Sequence, residues 1–147
     1  MVIETWEECR IAYMRRTGGY GAGNRQLMEK FKSYLRTNAW FREDTILLGI
    51  ALDDPARTPE AEQRYDVGLV LTGGECPCGL PVRSVVGGRY AVFAVAHTEE
   101  AVTEFWRTLP ASLAGLPWDS TRPVLERYAA AKVAAHRCEF CIPLRER

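Results

Sequence analysis

Arg89-Tyr90-Ala91-Val92-Phe93-Ala94-Val95-Ala96, followed by Thr98-Glu99-Glu100 and then by Val102, Phe105, Trp106 and Leu109, passes from the pattern of a strand to that of a helix. The first eight residues are the apolar run of a strand, led in by Gly87-Gly88. Thr98 with two acids behind it opens a helix, and the four apolar residues form its buried stripe. Pro110 and Gly115-Leu116-Pro117-Trp118-Asp119 break the chain, and two more strands follow: Pro123–Ala129, then a last one through Phe140, Ile142 and Leu144. The order is βαββ. Upstream the same order occurs: a strand at Arg10–Arg16, a glycine-rich break, a helix capped by Asn24 with Leu27, Phe31, Tyr34 and Leu35 on one face, and strands at Ile46–Leu52 and Arg64–Leu71. Pro81–Val86 reads as a connecting segment. The expectation is one α+β domain over residues 1–147, a pseudo-symmetric tandem βαββ repeat (approximately 8–74 and 80–147). Its antiparallel sheet would carry two helices on one face and a ligand groove on the other.

The bulk numbers narrow the function. Lys plus Arg and Asp plus Glu number 19 each, so no net field draws the chain to phosphate backbones or anionic membranes. Direct nucleic-acid binding and membrane association are not expected. No stretch approaches the roughly 20 apolar residues of a membrane span, and the first residues lack a basic-then-apolar leader, so a cytoplasmic location is expected. Five cysteines, an odd number, suggest reduced thiols. Cys76-Pro77-Cys78 with Cys138 and Cys141 could suggest a zinc site, but strand alternation sends Cys138 and Cys141 to opposite faces. No metal and no cofactor are expected. The glycines of Thr17–Gly23 lack the Lys-Ser or Lys-Thr of a phosphate loop, and Asp53-Asp54-Pro55 is ordinary turn chemistry.

Glu126 is the residue most open to function. Alternation along Pro123–Ala129 puts Val124, Glu126 and Tyr128 on one side and Leu125 and Arg127 on the other, so an acid and a phenol share a surface. A carboxylate flanked by aromatic rings can hold an organic cation by charge and cation–π contact together. The alternative is a glutamate in water, or one paired with Arg127 or a neighbouring strand.

These pieces, in order, resemble a family. Arg16-Thr17-Gly18-Gly19-Tyr20-Gly21, Leu52-Asp53-Asp54-Pro55 with Thr58-Pro59, Arg64-Tyr65-Asp66, Gly87–Phe93, Leu125-Glu126-Arg127-Tyr128 and the closing Cys138–Leu144 are similar to the GyrI-like small-molecule-binding domains. That group includes the DNA gyrase inhibitory protein and the effector-binding domains of AraC-type and MerR-type regulators. The resemblance implies the tandem βαββ fold and a groove for bulky, aromatic or cationic molecules with a buried glutamate, at the position of Glu126. Tyr128 comes with it, and Tyr13, Tyr65, Trp106 and Trp118 are candidate aromatic walls. No helix-turn-helix is expected to accompany the domain. The leading expectation is therefore a stand-alone binding module for hydrophobic cationic aromatics, serving effector sensing or sequestration. As an enzyme, the runner-up, it would hydrolyse cyclopropane-bearing or other reactive natural products, with Glu126 as base and Tyr128 as proton donor. A third possibility is a protein partner, DNA gyrase or a regulatory protein.

Overall fold

The computed structural model describes residues 1–77 and 79–146; Cys78, half of the Cys76-Pro77-Cys78 motif, and Arg147 lie outside the described residues. Eight strands form one sheet: β1 (Val2–Trp6), β2 (Cys9–Thr17), β3 (Ile46–Ala51), β4 (Arg64–Val70), β5 (Val82–Val85), β6 (Gly88–Ala96), β7 (Leu125–Ala129) and β8 (Arg137–Pro143). Helix α1 (Ala22–Thr37) connects β2 to β3, α2 (Glu99–Ser112) connects β6 to β7, and the short α3 (Ala130–Ala134) connects β7 to β8. The strand order is β1-β6-β8-β7-β3-β4-β2-β5, with antiparallel pairing throughout. Each βαββ unit is contiguous, and the two meet at the β3–β7 seam. Each unit is preceded by one strand that joins the far edge of the other: β1 pairs with β6, and β5 with β2.

This exchange forces the sheet to curl. Strands β5 and β6 sit six places apart in the strand order, a distance of about 29 Å in a flat sheet. Val86 and Gly87 alone connect them, a reach of about 11 Å at most. Glu7 and Glu8 link β1 to β2 across an equal separation. The two edges therefore close on each other. A side chain at Gly87 would strike the carbonyl of Trp6 and the backbone of Glu7 and Glu8, so only glycine permits the approach. The Tyr90 hydroxyl then donates to the Val86 carbonyl at 2.8 Å.

The inside of the curl is packed by Ile11, Leu48, Ile50, Val85, Tyr90, Val92, Leu125 and Cys141. Two ion-pair clusters tie the exchanged strands there. Asp66 on β4, fully buried, accepts from Arg15 on β2 (2.6 and 3.0 Å) and Arg83 on β5 (3.0 and 2.8 Å). In the other half Arg127 on β7 donates to Glu139 on β8 (2.9 and 3.0 Å) and to Glu4 on β1 (3.1 Å twice), and lies over the Trp6 ring. On the outside, Met28, Phe31 and Leu35 of α1 pack on Leu47, Tyr65, Val67 and Leu69. Phe105 and Leu109 of α2 pack on Ala91, Phe140 and Ile142. A buried side chain such as Phe31 contributes about 1.5–3 kcal/mol by leaving water.

The antiparallel α+β sheet with its duplicated order is the arrangement the sequence implied. Several details differ. The cleft around Glu126 opens between the helices, on their own face, while the inside of the curl holds the apolar cluster and a smaller hollow lined by Trp6, Cys9, Leu48 and Arg127. Val2–Trp6 and Val82–Val85 are strands, and α3 is an added turn of helix. Pro110 falls inside α2, which continues to Ser112. Asn24 is not the cap of α1: Gly21 holds that position at φ 140°, and the Asn24 side chain accepts from Arg16 at 2.8 Å.

Candidate ligand-binding site

The site begins with one rung of the central seam. Gly49 on β3 and Phe140 on β8 flank Glu126 on β7, so the three share the helix-covered face. The carboxylate leans across the space that Gly49 leaves open, towards β4, where Tyr65 is one rung further on. Tyr65 donates to Glu126 Oε1 at 2.6 Å, and Tyr128, two residues along β7, donates to the same oxygen at 3.0 Å. Among the described residues, no hydrogen bond or ion pair engages Oε2. No buried side-chain oxygen of the described residues is both sealed from solvent and without a partner, so Oε2 faces the cleft.

The electrostatics follow from that arrangement. Burial holds the Glu126 carboxyl above the usual glutamate range, and the two phenol donors oppose the shift without cancelling it. Among the described residues no cationic side chain forms an ion pair with that carboxyl. Burial and the neighbouring carboxylate push both phenols upward, so Tyr65 and Tyr128 stay neutral and donate. His97, its ring 5.6 Å from that of Tyr128, is held below the usual histidine range by burial first and by the charge of Lys32 second.

Above the carboxylate is a cleft of about 510 Å³ between α1 and α2, within the range of about 300–1,000 Å³ typical of small-molecule pockets. Met28, Val102 and Phe140 give it apolar surface, and Asn24, Lys32 and Thr98 give it polar surface. Of the residues singled out in the sequence, Glu126, Tyr65 and Tyr128 come together at its floor. Trp106 borders it only through Phe140, with ring centroids 5.3 Å apart, and is 43% exposed. Tyr13 is on the inside of the curl, under the guanidinium groups of Arg15 and Arg83. Trp118 pairs with Leu144 at the far end of β8 and does not line the cleft. Cys138 and Cys141 enter opposite clusters, as alternation required. The sequence reading missed Gly49, Met28, Lys32 and His97. Gly49 did leave a signal, since a lone glycine within an apolar strand marks a close approach.

The model of the GyrI-like small-molecule-binding domain matches residues 1–145. The chain belongs to that family. This GyrI-like domain is 40% identical over 147 residues to the "SPbeta prophage-derived putative transcriptional regulator YosT" of Bacillus subtilis (strain 168), the match covering 98% of each chain. Among solved structures it resembles SAV2435 bound to tetraphenylphosphonium (TM-score 0.61, 12% identity, 98% of this chain and 93% of that one). It also resembles the C-terminal domain of EcmrR (TM-score 0.69, 10% identity, 99% and 97%). In an EcmrR–DNA complex the GyrI-like domain matches 57% of the longer EcmrR chain. At these identities the likeness is one of fold. Among the described residues no helix is long and apolar enough to cross a membrane.

Proposed function

We propose that this GyrI-like domain binds a hydrophobic organic cation in the cleft between α1 and α2, with the positive charge held against Glu126. The observation that carries the reading is the state of the carboxylate. Oε1 is occupied by two phenols, Oε2 opens into the cleft, and among the described residues no cationic side chain forms an ion pair with it. A charge withdrawn from water in this way is costly until a partner arrives. A ligand cation would supply that partner, and Tyr65, Tyr128 and Phe140 would offer ring surface for its apolar groups. Recognition of this kind suits a sensor or a sequestering module, and the tetraphenylphosphonium bound by SAV2435 makes the same compound a suitable probe. Titration calorimetry of the wild type and Glu126→Gln with tetraphenylphosphonium tests it. Loss of the charge partner is expected to weaken binding by about 2–5 kcal/mol, while circular dichroism shows an unchanged fold. Equal affinity in the two proteins would overturn the reading.

A further inference from the structure

Lys32 lines the same cleft from α1, with its side chain only 13% exposed. Its ion-pair partner among the described residues is Glu29, at 3.8 Å and itself 66% exposed. That separation is too long for a hydrogen bond, and the acid is well screened by solvent. Among the described residues Lys32 forms no ion pair with Glu126, whose hydrogen bonds come from the two phenols. Its charge is felt instead at His97, on the β6–α2 side of the cleft. The pocket therefore holds two separated and incompletely matched charges: a carboxylate on the floor and an ammonium on the α1 wall. The remaining charged groups of the lining, Arg25, Glu29 and Glu99, are exposed at the rim.

A simple cation would meet only the floor and would have to desolvate beside Lys32. We infer that the preferred ligand is dipolar: a hydrophobic cation that also carries a carboxylate or similar anion, the cation on Glu126 and the anion on Lys32. This rests on the cation reading of Glu126 and adds an anion subsite to it. Such a ligand matches both charges, and simple cations become weaker surrogates.

The test is fluorescence anisotropy with two dyes that differ in one group, tetramethylrhodamine, a zwitterion at neutral pH, and its methyl ester, a cation. The free acid is expected to bind the wild type about tenfold more tightly, the lower end for a hydrogen bond between charged groups. Lys32→Gln should remove that preference without weakening the ester, and Lys32→Arg should keep it. Equal affinities in the wild type, exclusion of the free acid, or a ratio unchanged by Lys32→Gln would each overturn the proposal. If Glu126→Gln alters neither dye while Lys32→Gln still removes the free acid's advantage, the anion subsite stands and the cation reading falls.

Discussion

Gly49→Ala is the most demanding perturbation of this site, because it adds one methyl group and nothing else. A Cβ at this position would overlap the Tyr65 hydroxyl and Glu126 Oε1, with the Tyr65 ring carbon Cζ at 3.1 Å behind them. Neither the tyrosine nor the strand that carries the new methyl can retreat freely. Tyr65 is 3% exposed and packed among Met28, Phe31 and Val67, and β3 is paired on both sides, with β4 and with β7. Overpacking of a tight interior costs about 1–3 kcal/mol. Displacing at least one phenol from the carboxylate adds about 1.5–3 kcal/mol. The expected loss of stability is thus about 2.5–6 kcal/mol, far above the fraction of a kcal/mol that a Gly-to-Ala change gives on an unobstructed strand. Urea denaturation followed by circular dichroism measures it. The same substitution made with Tyr65→Phe, which deletes one of the two colliding oxygens, should recover about 1–3 kcal/mol as a coupling energy. A Gly49→Ala protein within about 0.5 kcal/mol of the wild type, or no coupling to Tyr65, would refute the claim that Gly49 is the space in which the carboxylate sits.

The remaining predictions concern protons and thiols. The raised pKa of Glu126 means that tetraphenylphosphonium affinity, followed by calorimetry from acid to neutral pH, should appear above the ordinary value of 4.5 for a glutamate, as the carboxyl ionises in the folded protein. Stability without ligand should run the other way. The folded state holds this proton more tightly than the unfolded chain, so its contribution is most favourable below the unfolded value and is lost as pH rises through the folded one, a slope that Glu126→Gln removes. Burial raises the thiols of Cys138 to about 11 and Cys141 to about 12, and the thiolate is the reactive form. Iodoacetamide at neutral pH should therefore spare both in the native protein while labelling exposed Cys76. Peptide mass spectrometry reads this, and equal labelling of Cys76 and Cys141 would count against it.

What could be read in the sequence was whatever depends on local period. The passage from β6 into α2 and from β2 into α1 is written in the spacing of apolar residues. The shared face of Glu126 and Tyr128, with Leu125 and Arg127 opposite, follows from alternation alone. Tyr65 was among the candidate walls, yet its bond to Glu126 depends on two strand registers, β7 on β3 and β3 on β4, and no local pattern encodes these. Strand β1 has Glu4 among its apolar residues and forms an edge, and β5 is four residues long behind Pro81, so neither carries a strong strand pattern. Missing them removed the strand exchange, and with it the curl. That is why the groove was expected on the face away from the helices: in a flat sheet that face would be free, whereas here it is folded inward around an apolar cluster.

The position of the cleft follows from the duplication itself. Each helix covers its own βαββ unit, α1 over β2 and β4 and α2 over β6 and β8, so the seam where the units meet lies beneath the gap between them. At the rung of Glu126 and Gly49 the seam's outer face is flanked by a helix on either side, and the cleft opens there between them. The two halves have filled this place differently: β7 contributes the carboxylate, and β3, at the facing rung, contributes a glycine that makes room for it. Two large side chains there would have closed the seam, and two acids would have repelled each other. One acid opposite one glycine leaves a carboxylate whose Oε1 is held by two phenols and whose Oε2 is open to the cleft. On the proposed reading, the asymmetry of that single rung gives a symmetric scaffold one carboxylate floor, and so one end of the cleft at which a ligand's cation would sit.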